Sequence, residues 1–160
     1  MLTRGALEDN YLLKTFDDRV QTFCDRRNKQ MQIENFEDLP LTLEVKKGIE
    51  ELGFTELFPI QAQAIIPLLE GKDVIGQAQT GTGKTAAFGI PMVEGVDPKN
   101  KRVQGLVLAP TRELAIQVAQ RISRFSKYTN LKVLPVYGGE SINKQIRALE
   151  RGVHIVVGTP

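Results

Sequence analysis

The chain has 160 residues and a mass of 17.8 kDa, with 41% hydrophobic and 25% charged residues, the length and make-up of one water-soluble globular domain. It has no apolar run near the roughly 18 residues a membrane span needs, and its start lacks the apolar core of a secretory signal, so a cytoplasmic protein without a membrane partner is expected. One cysteine, Cys24, excludes an intrachain disulfide, and a single histidine leaves almost nothing for a zinc site.

The net charge of +2 hides an asymmetry. Residues 31–71 hold two basic against eight acidic residues, net −6, whereas residues 72–160 hold thirteen against six, net +7. The basic second half suits a polyanionic partner, and equally suits lysines scattered on solvated faces.

Residues 1–30 carry Leu12, Phe16, Val20 and Phe23 on one stripe of an amphipathic helix, and read as an N-terminal extension, helical or disordered. The organised chain begins at Met31. Leu41 to Gly53 has helical spacing, with Gly53 just past the helix end, and Gln61 to Leu69 is a second helix, with Pro67 inside it and Gly71 closing it.

Lys72 to Gln77 is expected to be a short buried strand, and Thr85 to Ile90 a helix, flanking the stretch Ala78-Gln79-Thr80-Gly81-Thr82-Gly83-Lys84-Thr85. Gly81 and Gly83 permit positive φ, which turns successive N–H groups onto one concave side where phosphate oxygens fit. Lys84 adds a mobile positive charge for the outer phosphates. The Thr85 hydroxyl, opening the next helix, is placed to ligand a phosphate-bound Mg²⁺.

Gly105 to Ala109 reads as a buried parallel strand, Pro110-Thr111-Arg112 follows it, and the next helix carries Leu114, Val118, Ile122 and Phe125 on one stripe. Lys132 to Tyr137 is a strand ending in Gly138-Gly139, Ser141 to Glu150 a helix, and Val153 to Val157 a strand before Thr159-Pro160. This alternation predicts an α/β fold with a parallel sheet, and places each polar cluster at the carboxyl end of a strand, where such sheets bind ligands.

The ordered segments resemble the DEAD-box RNA helicases, over the first of their two RecA-like domains. Residues 53–61 are similar to the family's Q motif, residues 78–85 to motif I, residues 109–115 to motif Ia, Gly138-Gly139 to the GG element, and Thr159-Pro160 to the start of motif Ib. The resemblance implies a RecA-like P-loop NTPase domain over residues 31–160, truncated before the strand that carries D-E-A-D. It also implies ATP and Mg²⁺ as cofactors, with Phe36 stacking on adenine and Gln61 reading its edge. Both have plainer alternatives: an ordinary core ring for Phe36, and a helix N-terminal amide for Gln61.

Pro110, Thr111, Arg112, Gly138, Gly139 and Thr159 resemble the family's contacts to the RNA sugar-phosphate backbone, which read no sequence. An Arg112 to Glu113 ion pair and a simple glycine turn are the alternatives there. Leu57 and Phe58 depart from the Q motif, where the family usually has proline and a small hydroxyl residue. No D-E-A-D and no S-A-T sequence is present. The resemblance therefore implies an ATP-dependent RNA helicase whose residues 1–160 alone hydrolyse nothing and fold marginally, with a non-catalytic ATP/RNA-binding fragment or another P-loop NTPase as alternatives.

Overall fold

A computed structural model describes residues 33–160, which form one compact unit. The amphipathic stripe of residues 1–30 and Cys24 lie outside the described residues. A 3₁₀ turn, Phe36–Asp38, leads into helices α1 (Leu43–Glu50), α2 (Pro59–Leu69) and α3 (Lys84–Gly95). Strand β1 (Gly105–Leu108), helix α4 (Arg112–Phe125), strand β2 (Val133–Val136), helix α5 (Ile142–Glu150) and strand β3 (Ile155–Gly158) follow.

The helix limits have local causes. Pro59 stands in the first turn of α2, where its missing N–H costs nothing, and the Thr111 hydroxyl caps α4 by accepting from the Leu114 N–H at 3.3 Å. Gly53 and Gly71, with φ of 72° and 73°, sit just past the ends of α1 and α2 as expected of glycine in that role.

The three strands are parallel in the order β1-β3-β2, with β3 in the centre, and rows run from Gly105–Ile155–Val133 to Leu108–Gly158–Val136. Ile155 and Val157 turn one face of the sheet inward, where they join Val118, Ile122 and Phe125 of α4, Ile90 of α3 and Ile49 of α1 in the core. Gly48 brings α1 onto the end of α4: a Cβ there would stand 2.5 Å from the Phe125 carbonyl oxygen. His154, buried beside the sheet, accepts from the Lys132 N–H through Nδ1 at 2.9 Å and faces the Pro98 carbonyl with Nε2 at 3.2 Å, tying the α3–β1 connection to the sheet.

Three expectations are corrected. Residues 72–77 join no strand, and all six are exposed, Ile75 to 81%. A strand exists only through a neighbour's N–H and C=O groups, and none among the described residues lies alongside this segment. The β1 run is buried on one face only, since Leu106 and Leu108 point to solvent. Finally, the inward stripe of α4 is Ala115, Val118, Ala119, Ile122 and Phe125, with Leu114 turned outward.

Candidate nucleotide and nucleic-acid interface

The phosphate loop adopts the backbone its glycines allow. Gly81 and Gly83 have φ of 85° and 82°, and Gly83 is the left-handed residue immediately before α3, whose N-terminus no side chain caps. A twelve-residue helix thus presents its first N–H groups toward the loop, the arrangement that binds anions. The Thr82 hydroxyl donates to the Gln79 carbonyl at 2.8 Å, and the Lys84 ammonium donates to the carbonyls of Gln79, at 2.9 Å, and Ala78. Lys84 is therefore folded back on its own loop. Phosphate oxygens would be stronger acceptors than these neutral carbonyls, so the ammonium has a favourable exchange open to it. Thr85 is half-buried in the first turn of α3.

What anchors the loop is not the expected strand but Gln61. Its Oε1 accepts from the Phe58 N–H at 2.9 Å and its Nε2 donates to the Gly83 carbonyl at 3.1 Å, clasping the start of α2 to the start of α3. The residue is 1% exposed. The helix N-terminal alternative thus describes its contacts, although an amide carries a second N–H and a second lone pair beyond these two bonds. Phe36 is 4% exposed, belongs to the core, and stacks on Phe54 with centroids 5.6 Å apart, the contacts that its core-ring alternative describes.

The remaining expected residues meet at the carboxyl edge of the sheet. Pro110, Thr111 and Arg112 follow β1, Gly138 and Gly139 follow β2, and Thr159 follows β3, its N–H donating to the Val136 carbonyl at 3.2 Å. Arg112 reaches across this edge: its guanidinium lies 4.8 Å from the centre of the Tyr137 ring, and one of its nitrogens lies 3.2 Å from where a Gly139 Cβ would stand. Among the described residues no ion pair joins Arg112 to Glu113, and the cation rests on an aromatic face instead. Nearby, Glu140 is held below the usual carboxylate range, first by the Ser141 N–H, then by Lys144 and more weakly by Arg112.

Two residues of this edge were missed in the sequence. Tyr137 seats Arg112, and Gln145, buried on α5, holds Tyr137 by accepting from its N–H and donating to its carbonyl, each at 3.1 Å. The available signal was a glutamine among Ile142, Ile146 and Leu149 on one face of a helix. A concavity of about 400 Å³ between α4 and β2 is lined by none of the expected residues.

Comparison with known proteins identifies the family. The sequence profile of the DEAD/DEAH box helicases matches residues 58–160. This chain belongs to that family. Over 125 residues it is 58% identical to the DEAD-box ATP-dependent RNA helicase CshA of Geobacillus kaustophilus and 54% identical to CshA of Bacillus subtilis, covering 78% of this chain in both cases. The aligned part is 27% and 25% of those relatives, so the chain spans about a quarter of their length. A solved DEAD box protein from the hyperthermophile Methanococcus jannaschii superimposes with a TM-score of 0.77 at 41% identity, over 81% of this chain and 36% of that one. The fold is therefore the RecA-like α/β fold of DEAD-box proteins, and a P-loop NTPase of another family is set aside.

Proposed function

We propose that this chain is the ATP-binding and RNA-backbone-binding part of a cytoplasmic ATP-dependent RNA helicase. The observation that carries the reading is the phosphate loop: two positive-φ glycines, an uncapped helix N-terminus and the Lys84 ammonium converge on one place. These groups fit a polyphosphate. Ala78 to Gly83 would surround it, Lys84 would leave its two carbonyls for phosphate oxygens, and the Thr85 hydroxyl would add one ligand to a Mg²⁺ otherwise held by phosphate and water, the usual economy of Mg²⁺ sites. Bound Mg²⁺ would neutralise phosphate charge. Gln61 would read adenine with the N–H and lone pair it has left.

Arg112, with Thr111 and the backbone of Gly138 and Gly139, would take RNA phosphates along the carboxyl edge. Such contacts fix a strand without reading its bases. The 160 residues contain neither D-E-A-D nor S-A-T, the segments that by resemblance hold Mg²⁺ and position the attacking water, and so would bind ATP without turning it over. Titration with ATP and GTP tests the first half of this reading. ATP should bind more tightly than GTP, and Lys84→Ala should abolish both; equal affinities would remove adenine recognition, and an unaffected Lys84→Ala would remove the phosphate loop. A phosphate-release assay tests the second half, and steady release that disappears in Lys84→Ala would refute it.

A further inference from the structure

Beside the phosphate loop lies an aromatic ring to which no role has yet been given. Phe58 is 53% exposed although it is among the larger apolar side chains of the unit, and its position is fixed by what surrounds it. Its N–H donates to Gln61 Oε1 at 2.9 Å, and its carbonyl accepts from the N–H groups of Gln61 at 2.8 Å and Ala62 at 3.0 Å. With the backbone held by three hydrogen bonds, only the side-chain torsions remain free.

The ring borders the phosphate loop at its last glycine. A Cβ built on Gly83 would stand 3.2 Å from Phe58 Cδ2 and 2.2 Å from Gln61 Nε2, so the ring edge, the amide and the last glycine of the loop meet at one point. One side of that point is polar and buried, the other aromatic and open. Phe36, the ring first expected to stack, is closed off against Phe54. Phe58 is also where this chain departs from the small hydroxyl residue usual in the Q motif.

We propose that the exposed face of Phe58 is the stacking platform for the base of the bound nucleotide, and that Phe58 supplies the aromatic part of its affinity. The proposal rests on the nucleotide reading above and adds to it the residue that holds the base. Every base has a π face, so stacking strengthens binding without choosing between bases, and the choice is left to Gln61. A ring already held by its backbone loses little freedom when a base settles on it.

The test compares ATP with inorganic tripolyphosphate, which has the phosphates and no base, on the 160-residue chain. Phe58→Ala should weaken ATP and GTP by the same factor, roughly 5- to 100-fold, and leave tripolyphosphate unchanged. The chain has no tryptophan, so Phe58→Trp introduces a single fluorophore at the platform. Its emission should be quenched by ATP and not by tripolyphosphate. An ATP affinity within twofold of wild type in Phe58→Ala, an equal loss for tripolyphosphate, or a Phe58→Trp signal indifferent to ATP overturns the proposal. If wild type binds tripolyphosphate as tightly as ATP, the base makes no contact and the platform fails while the phosphate loop stands; if it binds neither, the nucleotide reading fails first.

Discussion

Replacing Gln61 with alanine should destabilise the fold, and the structure sets the size of the effect. The side chain is 1% exposed and joins the start of α2 to the start of α3 through two hydrogen bonds, of 2.9 and 3.1 Å. Two bonds are worth about 1 kcal/mol each in net terms, and the lost methylene adds about 0.8 kcal/mol before any cavity cost. The Gly83 carbonyl is not orphaned, because it still accepts from the N–H groups of Ala86 and Ala87. A loss of about 3 kcal/mol follows. Urea unfolding followed by far-ultraviolet circular dichroism should show the midpoint falling by about 1 to 2 M, for a denaturant slope of about 2 kcal/mol per M. Gln61→Glu separates the donor from the shape. It keeps the acceptor for Phe58, but at neutral pH it sets a buried carboxylate against the Gly83 carbonyl. Burial raises its folded pKa, so its stability is greatest below the unfolded pKa and declines as pH rises. An unchanged midpoint in Gln61→Ala, or a Gln61→Glu variant no more stable in acid, would refute the clasp. A fall in ATP affinity in Gln61→Ala is then interpretable only for the folded fraction.

Three further outcomes are expected. Gly48→Ala forces a Cβ to within 2.5 Å of the Phe125 carbonyl oxygen, so α1 must move off α4, and thermal or urea unfolding should register a loss of about 1–3 kcal/mol. Glu51 is held below its ordinary 4.5 first by the hydrogen bond from Lys127 and then by that from Tyr128. A depressed carboxylate stabilises above its unfolded pKa and loses that contribution as pH falls through the folded value. The stability difference between wild type and Glu51→Gln should therefore be present at neutral pH, decline once the pH drops below 4.5, vanish below the lowered folded value, and be small throughout because the pair is exposed to solvent. In a longer protein carrying the complete helicase domain, Arg112→Ala should weaken unrelated single-stranded RNAs about equally and reduce the salt slope by roughly one phosphate contact, measured by fluorescence anisotropy at several salt concentrations. A loss confined to one RNA sequence would make Arg112 a base reader.

Features set by a few adjacent residues were legible in the chain. The left-handed backbone at Gly81 and Gly83 follows from glycine's missing Cβ, and the ends of α1 and α2 from Gly53 and Gly71. Apart from the strand expected at residues 72–77, the order of helices and strands from Leu43 onward, and the parallel pairing of β1, β2 and β3, followed from hydrophobic period and from connections long enough to hold a helix. The gathering of Arg112, Gly139 and Thr159 on one edge followed from that topology.

Tertiary structure decided what depends on a partner distant in sequence. Val74 and Ile75 have strand character, but a strand needs another backbone beside it, and this one has none among the described residues. Phe36 and Phe58 are the same residue type, and their local sequence does not say which ring is buried. Phe54 and the core cover the first, while the Gln61–Gly83 clasp leaves the second facing solvent at the phosphate loop. Composition and period measure what a residue prefers, whereas burial depends on which surfaces the rest of the fold brings against it. For the same reason the sequence leaves Gln61 open between a recognition group and a helix N-terminal amide, whereas the structure shows it fastening two helices together.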